Sequence, residues 1–249
     1  MKMRKILVLL LGGLLILGLL TGCAGPKDAG KLVMGTNADF PPFEFRNEQN
    51  EVDGFDVDIA KAIAEAMGKE LVIEDMAFDG LIAALKTKKI DMVVAGMTIT
   101  EERAQEVNFS DPPYYDAGQT VVVKDDNVEI KGVEDLDGKL IAVQLGTTGD
   151  FEAHDLFPAE NIFQFNQVNE AFLELGNGRV DAIIIDIPVA ERYIELKGGF
   201  KTVGGKFTEE FFGIAIHKDN TELLEQVNKA MKELRDSGKY DELLIKWFN

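Results

Sequence analysis

Hydrophobic and polar positions along residues 31–97 follow two periods in turn. Short apolar runs alternate with segments whose apolar residues recur every three or four positions, as at Ile59, Ile63 and Met67. The first pattern is typical of buried strands and the second of amphipathic helices. Strands are thus predicted over 32–36, 71–76 and 90–97, and helices over 58–67 and 79–86. This β-α-β-α-β order predicts a mostly parallel sheet covered on both faces.

The same alternation restarts at Lys139. It predicts strands over 139–144, 162–165 and 181–186, and helices over 149–155, 169–175 and 187–196. The two halves share an echo, because Lys-Ile-Asp-Met-Val-Val at 89–94 resembles Arg-Val-Asp-Ala-Ile-Ile at 179–184. The echo is compatible with duplication and also with the preference of a helix-to-strand turn for a polar residue before an apolar run.

Two further extended segments connect these α/β units, at 119–124 and 212–218. The helices predicted after them, over 222–236 and 240–248, are too few for a separate core and should pack back on the first unit. The chain would then cross between two lobes twice. We expect lobe 1 at 31–117 plus 217–249, and lobe 2 with the hinge strands at 118–216. A cleft between lobes at the carboxyl ends of parallel strands is a usual place for a ligand.

The amino-terminal segment has the features of a secretory signal. Basic residues at 2, 4 and 5 precede an apolar run over 6–20, which is short for a transmembrane span of roughly 20 residues. Thr21-Gly22-Cys23 then resembles the lipobox of bacterial lipoproteins, in which the cysteine is lipidated after cleavage. We therefore expect a signal peptide at 1–22, lipid on Cys23 and a tether at 23–30. A transmembrane anchor and a signal with an incidental cysteine are the alternatives.

Composition narrows the function. The formal charge of −18 becomes about −21 when residues 1–22, with three basic residues and no acidic one, are removed. Such a chain repels nucleic-acid phosphates, so no nucleic-acid partner is expected. The acidity suits a cation or, more simply, solubility. Cys23 is the single cysteine, so no disulfide or thiol active site is expected and apolar burial must stabilise the fold.

Candidate ligand groups follow the strands. Arg103 lies in the first turn of a helix that Thr100 should cap, where a guanidinium suits a bound anion or a salt bridge to a nearby glutamate. The Gly146–Gly149 turn has glycines that let backbone amides approach an anion. Asp186 ends an apolar strand as a helix cap or a partner for a cation. With Phe40 and Phe78 to sandwich an apolar or planar group, these residues form a plausible site for a zwitterionic amino acid.

Several ordered motifs carry a family resemblance over residues 31–249. They are Gly54-Phe55-Asp56-Val57-Asp58-Ile59 with the helix after it, Gly96-Met97-Thr98-Ile99-Thr100-Glu101-Glu102-Arg103, Phe109-Ser110-Asp111-Pro112, Gly146-Thr147-Thr148-Gly149 and the strand closing at Asp186. The chain resembles the amino-acid-binding lipoproteins and periplasmic proteins that feed ATP-driven importers. The resemblance implies the type II periplasmic-binding-protein-like α/β fold, with two lobes of mostly parallel sheet flanked by helices and joined by two hinge strands.

The resemblance also implies a role for each site residue. Arg103 would clamp the α-carboxylate with the amides of Thr98 and Thr148, while the Gly96 carbonyl and Asp186 would hold the α-ammonium. Phe40 and Phe78 would stack on the ligand side chain. Asn37 and Gln144 stand where residues vary with the ligand. Arginine-type members are the best match, so arginine is favoured, then glutamine or another polar amino acid.

The resemblance further implies a monomer outside the cytoplasm, lipid-anchored or periplasmic, that hands its ligand to an ABC permease and has no cofactor or metal. Two alternatives differ in class. One is an enzyme similar to cyclohexadienyl dehydratase, for which two histidines and two serines offer little catalytic material. The other is a solute receptor for a signalling partner in the membrane.

Overall fold

The structure is a computed structural model that describes residues 30–249. Cys23 and the predicted signal peptide lie outside the described residues. The strands of this range are, in chain order, β1 Lys31–Thr36, β2 Asp39–Phe40, β3 Glu44–Arg46, β4 Val52–Asp53, β5 Glu70–Asp75, β6 Met92–Val93, β7 Val107–Phe109, β8 Tyr115–Ala117, β9 Gln119–Lys124, β10 Ile141–Gln144, β11 Ile162–Phe165, β12 Ala182–Asp186, β13 Phe200–Val203, β14 Glu210–Phe212 and β15 Ala215–His217.

The helices alternate with these strands as the hydrophobic pattern predicts. They are α1 Phe55–Ala66, α2 Leu81–Lys86, α3 Glu101–Glu106, α4 Thr148–Leu156, α5 Val168–Gly176, α6 Ile187–Lys197, α7 Thr221–Asp236 and α8 Lys239–Phe248. Short 3₁₀ turns lie at Phe78–Gly80, Val133–Asp135 and Ala159–Asn161. Among the described residues, no helix combines the length and apolarity that crossing a bilayer requires.

Two five-stranded sheets define two lobes. The sheet of lobe 1 has the order β5-β1-β6-β15-β7, and that of lobe 2 has the order β11-β10-β12-β9-β13. In each sheet, the first three strands in this order are parallel, and the fourth strand is antiparallel to both of its neighbours. Both faces are covered, since Leu32 and Met34 of β1 join one apolar cluster while Val33 joins another. The predicted two-lobed α/β fold is therefore confirmed.

The strands β8 and β14 pair antiparallel as a two-stranded ribbon outside both sheets. β8 leads into β9 of lobe 2, and β14 leads back to β15 of lobe 1. The ribbon thus contains the two crossings between lobes. The segments predicted to cross, 119–124 and 212–218, lie mainly in β9 and β15 of the two sheets, so that detail of the prediction is wrong. Which residues belong to each lobe stays a prediction at the level of exact bounds.

The echo between the lobes has a structural reason. The Asp91 side chain accepts a hydrogen bond from the Val33 amide at 2.8 Å, and its own amide donates to the Val33 carbonyl at 2.8 Å. Asp181 does the same with Leu140, at 2.8 and 2.7 Å. In each lobe an aspartate before the middle strand therefore fixes the start of its neighbour. This shared task explains the repeated aspartate before each apolar run.

The carboxyl-terminal helices pack on α1 of lobe 1. Five residues of α7 at helical spacing are buried: Leu223, Val227, Ala230, Met231 and Leu234. From α8, the Trp247 indole N–H donates to Asp58 on α1 at 2.9 Å. The prediction that these helices return to the first unit agrees with this packing.

Some predicted elements differ in extent. The strand expected over 90–97 is only β6, because the chain leaves the sheet and turns at Gly96 (φ 51°) toward the cleft. Helix α1 starts three residues before the predicted Asp58. Its start requires Gly54, where a Cβ would lie 2.1 Å from the Phe43 carbonyl oxygen. The small three-stranded sheet of β2, β3 and β4 was not predicted, nor were the short strands β7, β8 and β13, since two to four residues show too little periodicity.

Candidate functional site

A narrow pocket, called the cavity below, lies between the two lobes. All nine residues predicted to bind ligand line it: Asn37, Phe40, Phe78, Gly96, Thr98, Arg103, Gln144, Thr148 and Asp186. Glu44, Ala95 and Thr147 complete the wall. Lobe 1 and lobe 2 both contribute, and most of these residues follow the carboxyl end of a strand. The structure therefore brings the predicted set together, while each residue's role toward a ligand stays a prediction.

Arg103 lies inside the cavity wall and is 6% exposed. The Thr100 side chain accepts from the Arg103 amide at 3.2 Å, so Thr100 caps α3 as predicted. The guanidinium donates to the Thr98 carbonyl at 2.7 Å and, across the lobes, to the Gly146 carbonyl at 3.0 Å. No carboxylate among the described residues lies within salt-bridge distance. The alternative prediction, a salt bridge from Arg103 to a nearby glutamate, is therefore wrong.

The charge of Arg103 persists at neutral pH. Burial lowers the pKa of its guanidinium to about 10, against the opposing effects of nearby Glu210 and Asp186. The Phe78 ring lies beneath it, with its centroid 5.4 Å from the guanidinium carbon. A buried cation that uses only carbonyl partners still has donors to offer, which is a favourable setting for an anion.

In the turn that leads into α4, a backbone N–H group already donates to a carboxylate of the same helix. Gly146 has φ 78°, and its amide donates to the Asp150 carboxylate at 2.9 Å. The Gly146 N–H is therefore not available to an anion, and this glycine turn offers fewer backbone amides than the sequence predicts. Thr148 is the first residue of α4, so its N–H has no partner within the helix. Thr148 is the donor that this turn can present to the cavity.

Asp186 has an unsatisfied oxygen. It stands at the N-cap position of α6, yet its side chain makes no capping hydrogen bond. Its Oδ1 is buried without a partner among the described residues. Burial, and then the nearby charge of Glu210, raises the pKa of Asp186 to about 7. Since the capping hydrogen bond is absent, the alternative prediction that Asp186 caps the helix is wrong. An unpaired carboxylate oxygen is costly to bury, so a cationic partner suits Asp186 better.

Glu210 of β14 was missed by the sequence reasoning. Its Oε2 accepts from the Thr98 hydroxyl of lobe 1 at 2.6 Å and from the Thr148 hydroxyl of lobe 2 at 2.7 Å. Its Oε1 accepts from Thr208 at 2.9 Å. Both hydroxyl protons of the predicted site threonines are thereby engaged, which leaves their backbone amides for a ligand. An acidic residue beside the equally acidic Glu209 gave no signal of burial.

Glu44 is a second missed residue. It is 1% exposed, lines the cavity and lies beside the buried Asp56. Asp56 accepts from the Gly96 amide at 2.8 Å and from the Tyr114 hydroxyl at 2.7 Å. Burial, and then the neighbouring Asp56, raises the pKa of Glu44 well above its ordinary value. Like Glu210, it is an acidic residue in a strongly acidic chain, and its local sequence gave no signal of burial.

The opposite wall is joined by an amide pair. Asn37 donates to the Met76 carbonyl at 2.9 Å, which fixes the orientation of its amide because a carbonyl can only accept. Its Oδ1 then accepts from Gln144 across the lobes at 2.7 Å. The same Gln144 amino group contacts the Asn166 carbonyl at 3.2 Å. Both hydrogen bonds of Gln144 use its amino group, so its Oε1 oxygen has no hydrogen-bond partner among the described residues.

The comparisons with known proteins agree with this architecture. Residues 32–249 match the model of the bacterial extracellular solute-binding proteins, family 3. The chain belongs to that family. As a member it is an extracellular solute-binding protein of a transport system rather than an enzyme, and the expectation of a binding protein is confirmed.

Individual relatives are similar over nearly the whole chain. The arginine-binding extracellular protein ArtP of Bacillus subtilis is 40% identical over 99% of this chain and 98% of its own. A solved mutant of ArgBP from T. maritima is 49% identical, with TM-score 0.84 over 88% of this chain and 95% of that one. An ancestral arginine-binding protein bound to arginine is 47% identical, with TM-score 0.85 over 90% and 100% of the chains.

Proposed function

We propose that this protein captures L-arginine in the cavity between its lobes and delivers it to an ABC importer, with L-glutamine as the next ligand. The observation that carries the proposal is the cavity itself. Its lining includes a buried guanidinium without a carboxylate partner and a carboxylate oxygen without any partner among the described residues. These two groups are complementary to the two charges of an α-amino acid.

The α-carboxylate is assigned to Arg103, helped by the backbone amides of Thr98 and Thr148. The α-ammonium is assigned to Asp186 and the Gly96 carbonyl. A guanidinium binds a carboxylate through two parallel hydrogen bonds, and an ammonium neutralises a buried carboxylate. Bringing the ammonium to Asp186 also lowers the pKa of that carboxyl from its raised value, because the charged form gains a partner.

Two further acceptors in the cavity lining support arginine. They are Gln144 Oε1 and the carboxyl of Glu44. Guanidinium has five donors and no acceptor, so it matches such a wall better than a carboxylate or an aliphatic group does. A guanidinium beside Glu44 would favour its ionised form. Phe40 and Phe78 supply aromatic faces for the planar group.

Glutamine is the second ligand because its side-chain amide also offers two donors. The relatives support this order. Several carry arginine in their names, one relative of Bacillus subtilis is named as glutamine-binding, and the ancestral arginine-binding protein has been solved with each of the two amino acids. The absence of a positive charge at Gln144 is compatible with a cationic ligand.

We also propose that the protein is held at the outer face of the membrane by lipid on Cys23 and acts as a monomer. The support is the basic and apolar segment ahead of Thr21-Gly22-Cys23. Mass spectrometry of the mature amino terminus is the test. A diacylglyceryl thioether on Cys23 is expected, and an unmodified Cys23 in the mature protein would remove this part of the proposal.

The direct test of the ligand is a thermal-shift screen of the purified protein against the twenty amino acids, after co-purified ligand is removed by partial unfolding and dialysis. A ligand at about a thousand times its Kd adds about 4 kcal/mol to stability, which is a rise in Tm on the order of 8–16 °C for this size. The largest shift is expected with arginine. No shift with any amino acid would overturn the proposal.

A further inference from the structure

Helix α5 of lobe 2 begins without a capping side chain of its own. The side chain of its N-cap residue, Gln167, accepts no hydrogen bond from the helix. The first amides of a helix need an acceptor from elsewhere. That acceptor comes from the other lobe, because the Asn169 amide donates to Asp39 Oδ2 at 2.8 Å. Asp39 thus caps a helix across the cleft.

The second oxygen of Asp39 is also used by lobe 2. The Tyr193 hydroxyl donates to Asp39 Oδ1 at 2.8 Å and lies 3.2 Å from its carbonyl. The Tyr193 ring stacks on Phe172, with centroids 4.4 Å apart and planes 12° apart. Lys197 donates to the Asn169 side chain at 2.7 Å and adds a positive charge to the same corner. Lobe 2 therefore holds these donors in place through its own packing.

These contacts lie outside the cavity. Asp39, Asn169 and Tyr193 do not line it, although Phe40, the residue after Asp39, does. The other interlobe hydrogen bonds described above involve cavity-lining residues. They run from Arg103 to Gly146, from Gln144 to Asn37, and from Thr98 and Thr148 to Glu210. The Asp39 contact is therefore separable from recognition of the ligand.

We propose that Asp39 is a positioning residue that clasps lobe 2 through Asn169 and Tyr193, and so sets the fraction of closed protein and the rate of ligand release. This inference rests on the proposed function of ligand capture between the lobes. A contact that stabilises the closed state scales the apparent affinity of every ligand by the same factor, because apparent Kd depends on the fraction of binding-competent protein. Residues that contact the ligand side chain instead change affinities selectively.

The test compares Asp39→Ala with wild type by calorimetry and stopped-flow release, using L-arginine and L-glutamine as probes. Loss of two partly exposed hydrogen bonds to the Asp39 carboxylate is expected to weaken both ligands by about 5–30-fold, mostly through faster release. The ratio of the two affinities should stay within about twofold. Tyr193→Phe keeps the stacked ring and should give a smaller loss of the same kind. Asp126→Ala, an exposed aspartate of lobe 2, is the matched control.

Amide hydrogen exchange at Asn169 gives a readout that no general loss of stability reproduces. In Asp39→Ala this amide should exchange faster while amides in the centre of α5 keep their protection. Unchanged release rates and unchanged Asn169 exchange would overturn the clasp, and a changed affinity ratio would make Asp39 a recognition residue instead. A wild type that binds no amino acid would overturn the proposed function, while Asn169 exchange in the ligand-free protein would still test the clasp.

Discussion

The two ends of the cavity are built in different ways. At one end, the Arg103 guanidinium and the Asp186 carboxyl are ionisable groups without a direct ion-pair partner among the described residues. At the other end, Asn37 and Gln144 are neutral amides that are hydrogen-bonded across the lobes. Glu44 also lines the cavity, beside the buried Asp56. The charged end offers what every α-amino acid needs. The amide end offers acceptors whose number and placement depend on how the lobes meet, and we propose that ligands are distinguished there.

The charged end should be broken most severely at Arg103. Arg103→Ala is expected to cost about 2–5 kcal/mol of binding for arginine and glutamine alike, because it removes the partner of a buried carboxylate. Calorimetry with both amino acids measures this loss. Arg179→Ala, which removes an exposed arginine of lobe 2, is the control. Binding by Arg103→Ala at wild-type affinity would contradict the assignment.

Asp186 sharpens the comparison through pH. Its pKa is about 7 in the ligand-free fold and 3.8 without the fold, so its contribution to stability is complete below about pH 4 and is lost as pH rises through 7. Asp186→Asn does not titrate and should be more stable than wild type at pH 8, by roughly 2–4 kcal/mol. Chemical denaturation at pH 4 and pH 8 checks this difference. An equal stability gap at both pH values would be the wrong result.

The same residue has the opposite effect on binding. The α-ammonium needs the ionised carboxylate, so arginine affinity of the wild type should rise as pH increases toward about 7 and then level off. Asp186→Asn should bind weakly and lose most of this dependence. Calorimetry between pH 5 and pH 8, in buffers of different ionisation enthalpy, should also detect proton release on binding at the lower pH values.

Glu44→Gln is expected to separate the two ends. The substitution keeps the shape and can still donate to Asp56, but it removes the carboxylate that a guanidinium would face. Arginine should lose about 1.5–3 kcal/mol, the range for a hydrogen bond to a charged group, while glutamine should change by less than about 1 kcal/mol. Competition binding measures both. Equal losses for the two ligands would place Glu44 among the general residues of the charged end.

The smallest effect is expected at Gln144. Gln144→Ala removes one acceptor and the interlobe bond to Asn37, and should cost about 1 kcal/mol for arginine, the usual range for neutral hydrogen bonds. Calorimetry on this variant and on Gln144→Glu completes the series. The added carboxylate should favour arginine over glutamine, and a shift of the preference toward glutamine would argue against a guanidinium at this end.

Sequence reasoning anticipated the charged end because its residues lie in short ordered motifs. Arg103 lies in the first turn of α3, three residues after the capping Thr100, and Asp186 is the last residue of an apolar strand. Local rules for helix caps and strand ends therefore anticipated both positions. Glu44 and Glu210 escaped the same reasoning. Each is an acidic residue in a strongly acidic chain, and only burial by segments distant in sequence distinguishes it from a solvated surface residue.

The sequence by itself determined the alternation of strands and helices, the two lobes and the groups available for a zwitterion, because periodicity and capping are local properties. Tertiary structure decided which neighbours those groups have. The Gln144 bond to Asn37 spans 107 positions, and the Thr98 bond to Glu210 spans 112. Such contacts follow from how two lobes close on each other, and packing energy summed over both lobes, rather than any local pattern, selects them.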